Sequence, residues 1–159
     1  METVSFQKSE VFKKRADTLF EEQRALLSTM FPYAEVEHIG GTAIPELLTK
    51  GDLDINVRIP KERFVDVTGQ LKKDYLVNQP QNWTDTFASF KDDDSFSLPL
   101  GIQVTVRGGP EGHFLKHRDS LRNNPELVTK LNQLKQEYEG GPMDAYREAK
   151  GSFLKENIK

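Results

Sequence analysis

Residues 38–59 read HIGGTAIPELLTKGDLDINVRI. The Gly-Gly pair predicts a tight turn, and the second half predicts a strand in which Asp52 and Asp54 alternate with apolar residues. Side chains two residues apart leave the same face of a strand, roughly 7 Å apart along it. Because like charges on one face repel, and because Mg²⁺ prefers carboxylate oxygens, this spacing favours a divalent cation held between the two aspartates.

The glycines at positions 40 and 41 supply the other half of a phosphate site. Without side chains they let backbone N–H groups approach a phosphate closely. A Gly-Gly turn followed by two metal-binding aspartates indicates metal-assisted nucleotidyl transfer. The same pattern is also typical of an ordinary turn and of a half-buried strand with one solvated face, formed here by Asp52, Asp54, Asn56 and Arg58.

The composition limits the other classes of protein. The chain has 159 residues, a net charge of −3 and no cysteine. This length predicts a single domain over residues 1–159. The charge provides no basic surface for duplex nucleic acid, and without Cys neither a disulfide nor a thiolate metal site can form. With no signal pattern and no long apolar run, the sequence predicts a cytoplasmic protein that does not enter a membrane.

Helices are predicted where apolar residues recur at helical spacing. The first runs from about Ser9 to Met30 and ends before Pro32, because proline cannot continue the backbone hydrogen-bond pattern. Thr42 is predicted to cap a short helix after the glycines, and Pro60 to open another helix. Three more helices are predicted in the C-terminal part, over residues 112–122, after residue 124 and from residue 143.

Short segments with strand-forming residues complete the pattern. Besides the strand that starts at Asp52, they are residues 34–39, 75–77, 86–90, 96–98 and 102–107. This order of elements predicts an α/β (α+β) fold with a mixed β-sheet, helices mainly packed on one face and a helical C-terminal tail. The other face of the sheet is then free to carry the site.

The segment from His38 to Pro45, followed by Lys50 and Asp54, resembles the signature of the GrpB family. The resemblance continues in residues 117–122, 124–126 and 146–153, and it covers the chain from about residue 9 to its end. That family belongs to the polymerase-β-like nucleotidyltransferase superfamily. The resemblance therefore implies a nucleotidyltransferase-like fold and transfer of a nucleoside monophosphate from a nucleoside triphosphate to an acceptor that the sequence does not name.

The resemblance also implies roles for individual residues. Asp52 and Asp54 are the expected catalytic residues and the ligands of Mg²⁺ or Mn²⁺, which would act on the α-phosphate, the acceptor hydroxyl and the leaving pyrophosphate. The expected nucleotide-binding residues are His38, Gly40, Gly41, Thr42, Lys50, Arg118 and Lys150. His38 and Thr42 also fit structural roles, and Arg118 also fits a solvated helix face.

The chain departs from the family pattern in ways that bear on activity. Gly41 stands where typical members carry Ser, and Asp52 adds an acid to the one that the family usually has. Active members of the superfamily usually supply a third carboxylate from a later strand, yet the strand at residues 102–107 has none. Gln103 and Thr105 there replace two histidines. The candidates for a substitute acid are Asp85, Asp92, Asp93 and Asp94.

Three classes of function stay open at this point. The first is a metal-dependent nucleotidyltransferase with an unknown acceptor. The second is a catalytically inactive nucleotide- or metabolite-binding module of the same fold, which the missing carboxylate favours. The third is a protein-interaction domain in which the alternating strand is only a solvated face. Binding of a nucleotide that depends on magnesium separates the third class from the other two.

Overall fold

The computed structural model describes residues 2–159, which form a five-stranded mixed sheet, a two-stranded ribbon and five α-helices. The strands are β1 (Gln7–Lys8), β2 (Glu35–Ile39), β3 (Leu48–Thr49), β4 (Leu53–Ile59), β5 (Leu76–Val77), β6 (Phe87–Asp92) and β7 (Leu100–Val106). The helices are α1 (Ser9–Met30), α2 (Phe64–Asp74), α3 (His113–Arg122), α4 (Pro125–Tyr138) and α5 (Met143–Asn157). None of the helices in this range is long and apolar enough to cross a membrane.

The five-stranded sheet has the order β2-β4-β7-β6-β5. Strands β4 and β7 are parallel, and every other neighbouring pair in this sheet is antiparallel. In the parallel pair, Asp54 lies opposite Gly101 and Asn56 lies opposite Gln103. The polar face of β4 therefore continues onto β7, the strand that lacks the third carboxylate usual in active members of the superfamily.

The main core lies on one face of this sheet. Alternate residues of β4, from Leu53 to Ile59, are fully buried there against α1 and α2. Helix α1 has the predicted bounds: its first residue, Ser9, donates a hydrogen bond to the carbonyl of Ile44, and the helix ends before Pro32. The predicted mixed sheet, with α1 and α2 packed on one face, is confirmed.

The C-terminal helices form a second hydrophobic cluster. Buried residues of α3, α4 and α5, such as Leu131, pack against Ile44 and Leu47 in the segment between the glycine turn and β3. The cap and proline that were predicted at the start of α4 are present, with the side chain of Asn124 accepting from the backbone N–H of Leu127. Through these contacts the helical tail lies beside the glycine turn.

Two predicted elements are wrong. Residues 96–98 form no strand, because the carboxylate of Asp92 accepts hydrogen bonds from the backbone N–H groups of Asp94 and Ser95 and turns the chain out of β6. The predicted short helix after the glycines is only a 3₁₀ turn, Gly41–Ala43, followed by the short strand β3. The C-terminal hairpin of the sheet is thus built from β6 and β7 alone, joined by a loop.

Candidate functional site

The carboxylate of Asp54 lies between two glycines. Gly40 has φ +77°, a conformation that favours glycine, and a methyl group there would come within 2.5 Å of Oδ2 of Asp54. On β7, a methyl group at Gly101 would come within 2.7 Å of Oδ1 of the same side chain. Both contacts are shorter than atoms tolerate, so the space for this carboxylate exists only because both positions lack side chains.

The surroundings of Asp54 oppose its ionisation. Burial, and then the negative charge of Asp52, raise the pKa of Asp54 from 3.8 to about 6, while Lys150 and Lys50 act in the opposite direction. Asp52 lies just before β4, not within it as predicted, and its carboxylate is 3.4 Å from the ammonium group of Lys50. A half-buried carboxylate beside a second carboxylate is an arrangement that a bound cation would stabilise.

His38 and Thr42 form a hydrogen-bond chain behind the turn. The hydroxyl of Thr42 donates to the carbonyl of Asp52 at 3.0 Å, and it lies 2.9 Å from Nε2 of His38. Because that hydroxyl has one proton, which it donates to Asp52, it accepts from Nε2–H of the imidazole. The prediction that Thr42 caps a helix is therefore wrong: Thr42 lies inside the 3₁₀ turn, and its side chain ties the turn to β4.

Burial, and then the positive charge of Arg122, lower the pKa of His38 to about 4. Its ring stacks on Phe20 with the centroids 5.2 Å apart. His38 and Thr42 both line a cavity that is separate from the two cavities at Asp54. The structure thus places these two predicted nucleotide-binding residues behind the glycine turn, in contact with the strand that bears the aspartates.

Arg118 and Arg122 attach α3 to the same turn. One nitrogen of Arg118 lies 2.7 Å from the carboxylate of Glu37 on β2 and also donates to the carbonyl of His38, while another contacts Asp119. Nε of Arg122 donates to the carbonyl of Ala43 at 2.8 Å. Arg118 borders the cavity at Asp54, but its guanidinium group already has these protein partners.

Two cavities meet at Asp54 and Gln103. One, of about 300 Å³, lies between the sheet and the helical tail; its walls are largely apolar, with Gly40, Gly41, Arg118 and Lys150 among its lining residues. The other, of about 690 Å³, is polar and includes Lys50, Asp52, Lys91, Asp93 and Arg147. Seven of the nine predicted site residues therefore line one cavity or the other, and Asp54 lines both.

The face of β7 beside Asp54 carries an amide where an acid was sought. A methyl group at Gly101 would lie 3.7 Å from Nε2 of Gln103 as well as close to Asp54, so these two side chains meet over this glycine. The next residue of β4 on this face, Asn56, is only 1% exposed and donates to the carbonyl of Gln103 and the hydroxyl of Thr105. The interpretation of this face as solvated is therefore wrong at Asn56.

The donors present fit a single magnesium ion that arrives with a nucleotide. Mg²⁺ is commonly held by one or two carboxylates together with phosphates and water, and Asp52 and Asp54 supply two. Within residues 2–159 no group of three or more His, Cys, Asp or Glu side chains is placed to hold a metal without such help. None of the candidate substitutes, Asp85 and Asp92 to Asp94, forms such a group with the two aspartates.

Gly101, Gln103 and Glu37 belong to the site but were not predicted as site residues. The sequence singles out Gln103 only as a residue of the strand that has no third carboxylate. The sequence places Gly101 immediately before a predicted strand. Its contact with Asp54 follows only from the register in which β4 pairs with β7. Glu37 is separated from Arg118 by 81 residues, a pairing that no local pattern indicates.

The chain is similar to known proteins in sequence and in fold. The family described as GrpB protein matches residues 11–159. A UPF0157 protein of Vibrio cholerae is 28% identical over 153 residues, which are 96% of this chain and 81% of the relative. The crystal structure of the conserved protein GrpB from Enterococcus faecalis superposes with a TM-score of 0.69 at 18% identity, covering 95% of this chain and 98% of that one.

The fold is also similar to that of a larger nucleotidyltransferase. The Cid1 poly(U) polymerase with MgGTP bound matches with a TM-score of 0.56 at 14% identity. That match covers 81% of this chain and 42% of Cid1, so most of the polymerase has no counterpart here. At 14% identity this likeness shows the fold alone.

Proposed function

The chain belongs to the GrpB family, and on that premise we propose that it is a metal-dependent nucleotidyltransferase. It would move a nucleoside monophosphate from a nucleoside triphosphate to an acceptor that neither the sequence nor the fold identifies. The observation that carries the proposal is the placement of Asp54. Its carboxylate is held between Gly40 and Gly101, next to Asp52 and at the meeting point of two cavities.

This placement is hard to explain as a structural feature. A half-buried carboxylate next to a like charge destabilises the fold at neutral pH, because its ionised form is less favourable there than in the unfolded chain. There is room for it only because the turn after β2, at Gly40, and strand β7, at Gly101, have no side chain. Binding sites retain such arrangements when a ligand supplies the missing charge.

The residues of the chain have separate parts in the proposed reaction. A bound Mg²⁺ or Mn²⁺ ion supplies positive charge at the α-phosphate and the leaving pyrophosphate. Asp52 and Asp54 would hold that ion, and the glycine turn, which borders Asp54, would offer backbone N–H groups to oxygens of the α-phosphate. Lys50, with Lys91 and Arg147 in the polar cavity, balances the charge of the triphosphate. His38 and Thr42 hold the turn in place, and Arg118 mainly holds α3.

The transfer itself is a displacement at phosphorus. The acceptor oxygen forms a bond to the α-phosphorus, and the bond from that phosphorus to the oxygen bridging to the β-phosphate breaks. Pyrophosphate leaves with the electron pair of that bond, and the proton of the acceptor hydroxyl passes to solvent. The apolar cavity beside Gly40 would receive the acceptor, because Lys50, Lys91 and Arg147, which suit the β- and γ-phosphates, line the other cavity.

A second candidate is a nucleotide-binding module without catalysis. The observation that favours it is the neutral amide of Gln103 next to Asp54, on a strand that carries no acid. This candidate shares the metal and nucleotide site of the first. It differs only in predicting no turnover.

Calorimetric titration tests the site common to both candidates. ATP, GTP, CTP and UTP are titrated with and without Mg²⁺ into the wild type, the double variant Asp52→Asn/Asp54→Asn, and Asp85→Asn as a matched control whose carboxylate is exposed. We expect saturable binding that needs Mg²⁺, is lost in the double variant and is retained in the control.

Absence of Mg²⁺-dependent binding in a folded wild type would contradict both candidates. Where binding is found, pyrophosphate release over a panel of hydroxyl and phosphate acceptors separates the enzyme from the binding module. Release that disappears with Asp54→Asn is the result expected of the transferase.

A further inference from the structure

We propose that the ammonium group of Lys150 takes the position of a second metal ion at this site, so that the site binds one divalent cation together with a nucleotide and no more. This inference rests on the proposed function, because it assigns a role to Lys150 within the same site. It concerns how the site works without a third carboxylate.

The first argument is the position of Lys150. It lies on α5, and its side chain lines the apolar cavity together with Asp54, Gly40 and Gln103. Its charge acts on Asp54 more strongly than that of Lys50, the other cation that acts on this carboxylate. A positive charge is thus already present on the side of Asp54 that faces the proposed acceptor.

The second argument is that Lys150 forms no ion pair with a protein group. Among the ion pairs formed within residues 2–159, Lys50 is paired with Asp52 and Arg118 with Glu37, whereas Lys150 takes part in none. It makes no hydrogen bond in this range either, so its donors are free to contact oxygen atoms in the cavity.

The third argument is the neighbouring position on β7. Two metal ions about 4 Å apart need enough carboxylates to balance their charge, and the two aspartates here are too few. The side chain that meets Asp54 over Gly101 is Gln103, a neutral amide. Two carboxylates, one divalent cation and one ammonium group carry a net charge of +1, the same as three carboxylates with two divalent cations, so this site needs no further acid.

These arguments predict a specific role for Lys150. Its ammonium group lies next to the oxygen of the acceptor or of the α-phosphate, where it stabilises the negative charge that develops during transfer. A compact ammonium group with three donors suits this position better than a guanidinium group, whose planar shape pairs with two oxygens at once. Lys150 is then a substitute for an ion, and not simply another contact to the β- and γ-phosphates.

The test counts bound Mn²⁺ by electron paramagnetic resonance in the presence of the α,β-methylene analogue of the best-bound triphosphate. This analogue prevents transfer, so the readout does not depend on activity. The variants compared with the wild type are Gln103→Asp, which supplies the third acid, and Gln103→Asp combined with Lys150→Met. The matched control combines Gln103→Asp with Lys155→Met, a lysine on the same helix that is exposed.

We expect one Mn²⁺ per nucleotide in the wild type, in Gln103→Asp and in the Lys155 control, and two in the variant that combines Gln103→Asp with Lys150→Met. Two ions in Gln103→Asp alone would show that Lys150 does not occupy the second position. One ion in the combined variant, folded by circular dichroism, would show the same. If that variant does not fold, Gln103→Asp with Lys150→Gln is counted in its place.

The wild type alone distinguishes this inference from the proposed function. Two Mn²⁺ ions in the wild type would overturn the role of Lys150 and leave the nucleotidyltransferase proposal in place. No nucleotide-dependent Mn²⁺ binding would overturn the proposed function, and the role of Lys150 with it.

Discussion

Asp54 is held where its ionised form is least favourable, and this property can be measured without knowing the substrate. In the folded chain burial raises its pKa from 3.8 to about 6, so the folded state takes up its proton at a higher pH than the unfolded state does. The free energy of unfolding therefore falls as the pH rises through this interval. Above pH 6 the full destabilisation is present.

The variant Asp54→Asn should for this reason be more stable than the wild type at pH 7.5. A shift from 3.8 to about 6 corresponds to at most about 3 kcal/mol, and partial exposure reduces the expected gain to about 1–2 kcal/mol. Urea unfolding at pH 7.5 and at pH 3.5 measures it, and the gain should vanish at the lower pH. A variant less stable than the wild type at pH 7.5 would mean that Asp54 has a structural role.

The glycine at position 40 permits a second prediction at this scale. In Gly40→Ala the new methyl group would lie 2.5 Å from Oδ2 of Asp54, in a backbone conformation with φ +77° that alanine rarely adopts. We expect a loss of at least tenfold in the affinity for the Mg²⁺–nucleotide complex, measured by calorimetry, and a lower free energy of unfolding by about 1–3 kcal/mol.

Gly69→Ala is the matched control for this substitution. Gly69 lies in α2, and a methyl group there would meet no atom within 4 Å. This variant should bind nucleotide as the wild type does and should be more stable by about 0.5–1 kcal/mol, because alanine is the better helix former. Unchanged nucleotide affinity in Gly40→Ala would contradict the assignment of the turn to the site.

At the scale of elements, the turn is joined to β4 by the chain from His38 through Thr42 to the carbonyl of Asp52. Nε2–H of His38 donates into this chain, and burial keeps the ring neutral near pH 7, because it lowers the pKa of His38 in the folded protein from 6.5 to about 4. The unfolded chain therefore takes up this proton first as the pH falls. The stability that His38 contributes is complete above pH 6.5 and is lost between pH 6.5 and pH 4.

We therefore expect the difference in unfolding free energy between the wild type and His38→Gln to shrink by about 1–2 kcal/mol from pH 7.5 to pH 4.5, since only the wild type has this proton uptake. Urea unfolding at the two pH values provides the measurement. His113→Gln, which removes an exposed histidine, is the control and should follow the wild type. A difference that stays constant would contradict a buried neutral His38.

The sequence predicts an element well when residues close to it in the chain determine its structure, and poorly when distant residues do. Helix α1 and the cap of α4 follow from residues that are neighbours in the chain, and their predictions are confirmed. The segment at residues 96–98 was wrong because one side chain, Asp92, redirects the backbone. The burial of Asn56 depends on its hydrogen bonds to Gln103 and Thr105 of β7, which no pattern along β4 indicates.

The same reasoning applies to the site. Asp52, Asp54 and the glycines are close in the chain, so spacing alone brings them together. Lys150 was placed there by resemblance only, because α5 reaches the site through the packing of the helical tail. The contact of Gly101 with Asp54 requires the register of a parallel strand pair that is separated by nearly fifty residues.

At the scale of the whole molecule, the site lies between two separately packed parts. One is the sheet with α1 and α2, and the other is the helical tail, whose cluster includes Ile44 and Leu131. The cavity beside Asp54 is bounded by residues of both parts. A ligand bound there contacts both and should restrain the tail against the sheet, which stabilises the folded state by mass action.

Hydrogen exchange can detect this restraint. With Mg²⁺ and the α,β-methylene analogue of the bound triphosphate, we expect slower amide exchange in the glycine turn, residues 40–43, and in α5 around Lys150. Helix α2 packs on the opposite face of the sheet and should show no local change beyond that of global stabilisation. The same ligands added to Asp54→Asn should leave exchange unchanged. Only a site between the sheet and the tail restrains both the glycine turn and α5. Slower amide exchange in α2 alone would therefore place the ligand elsewhere, and so would equal slowing of exchange in the wild type and in Asp54→Asn.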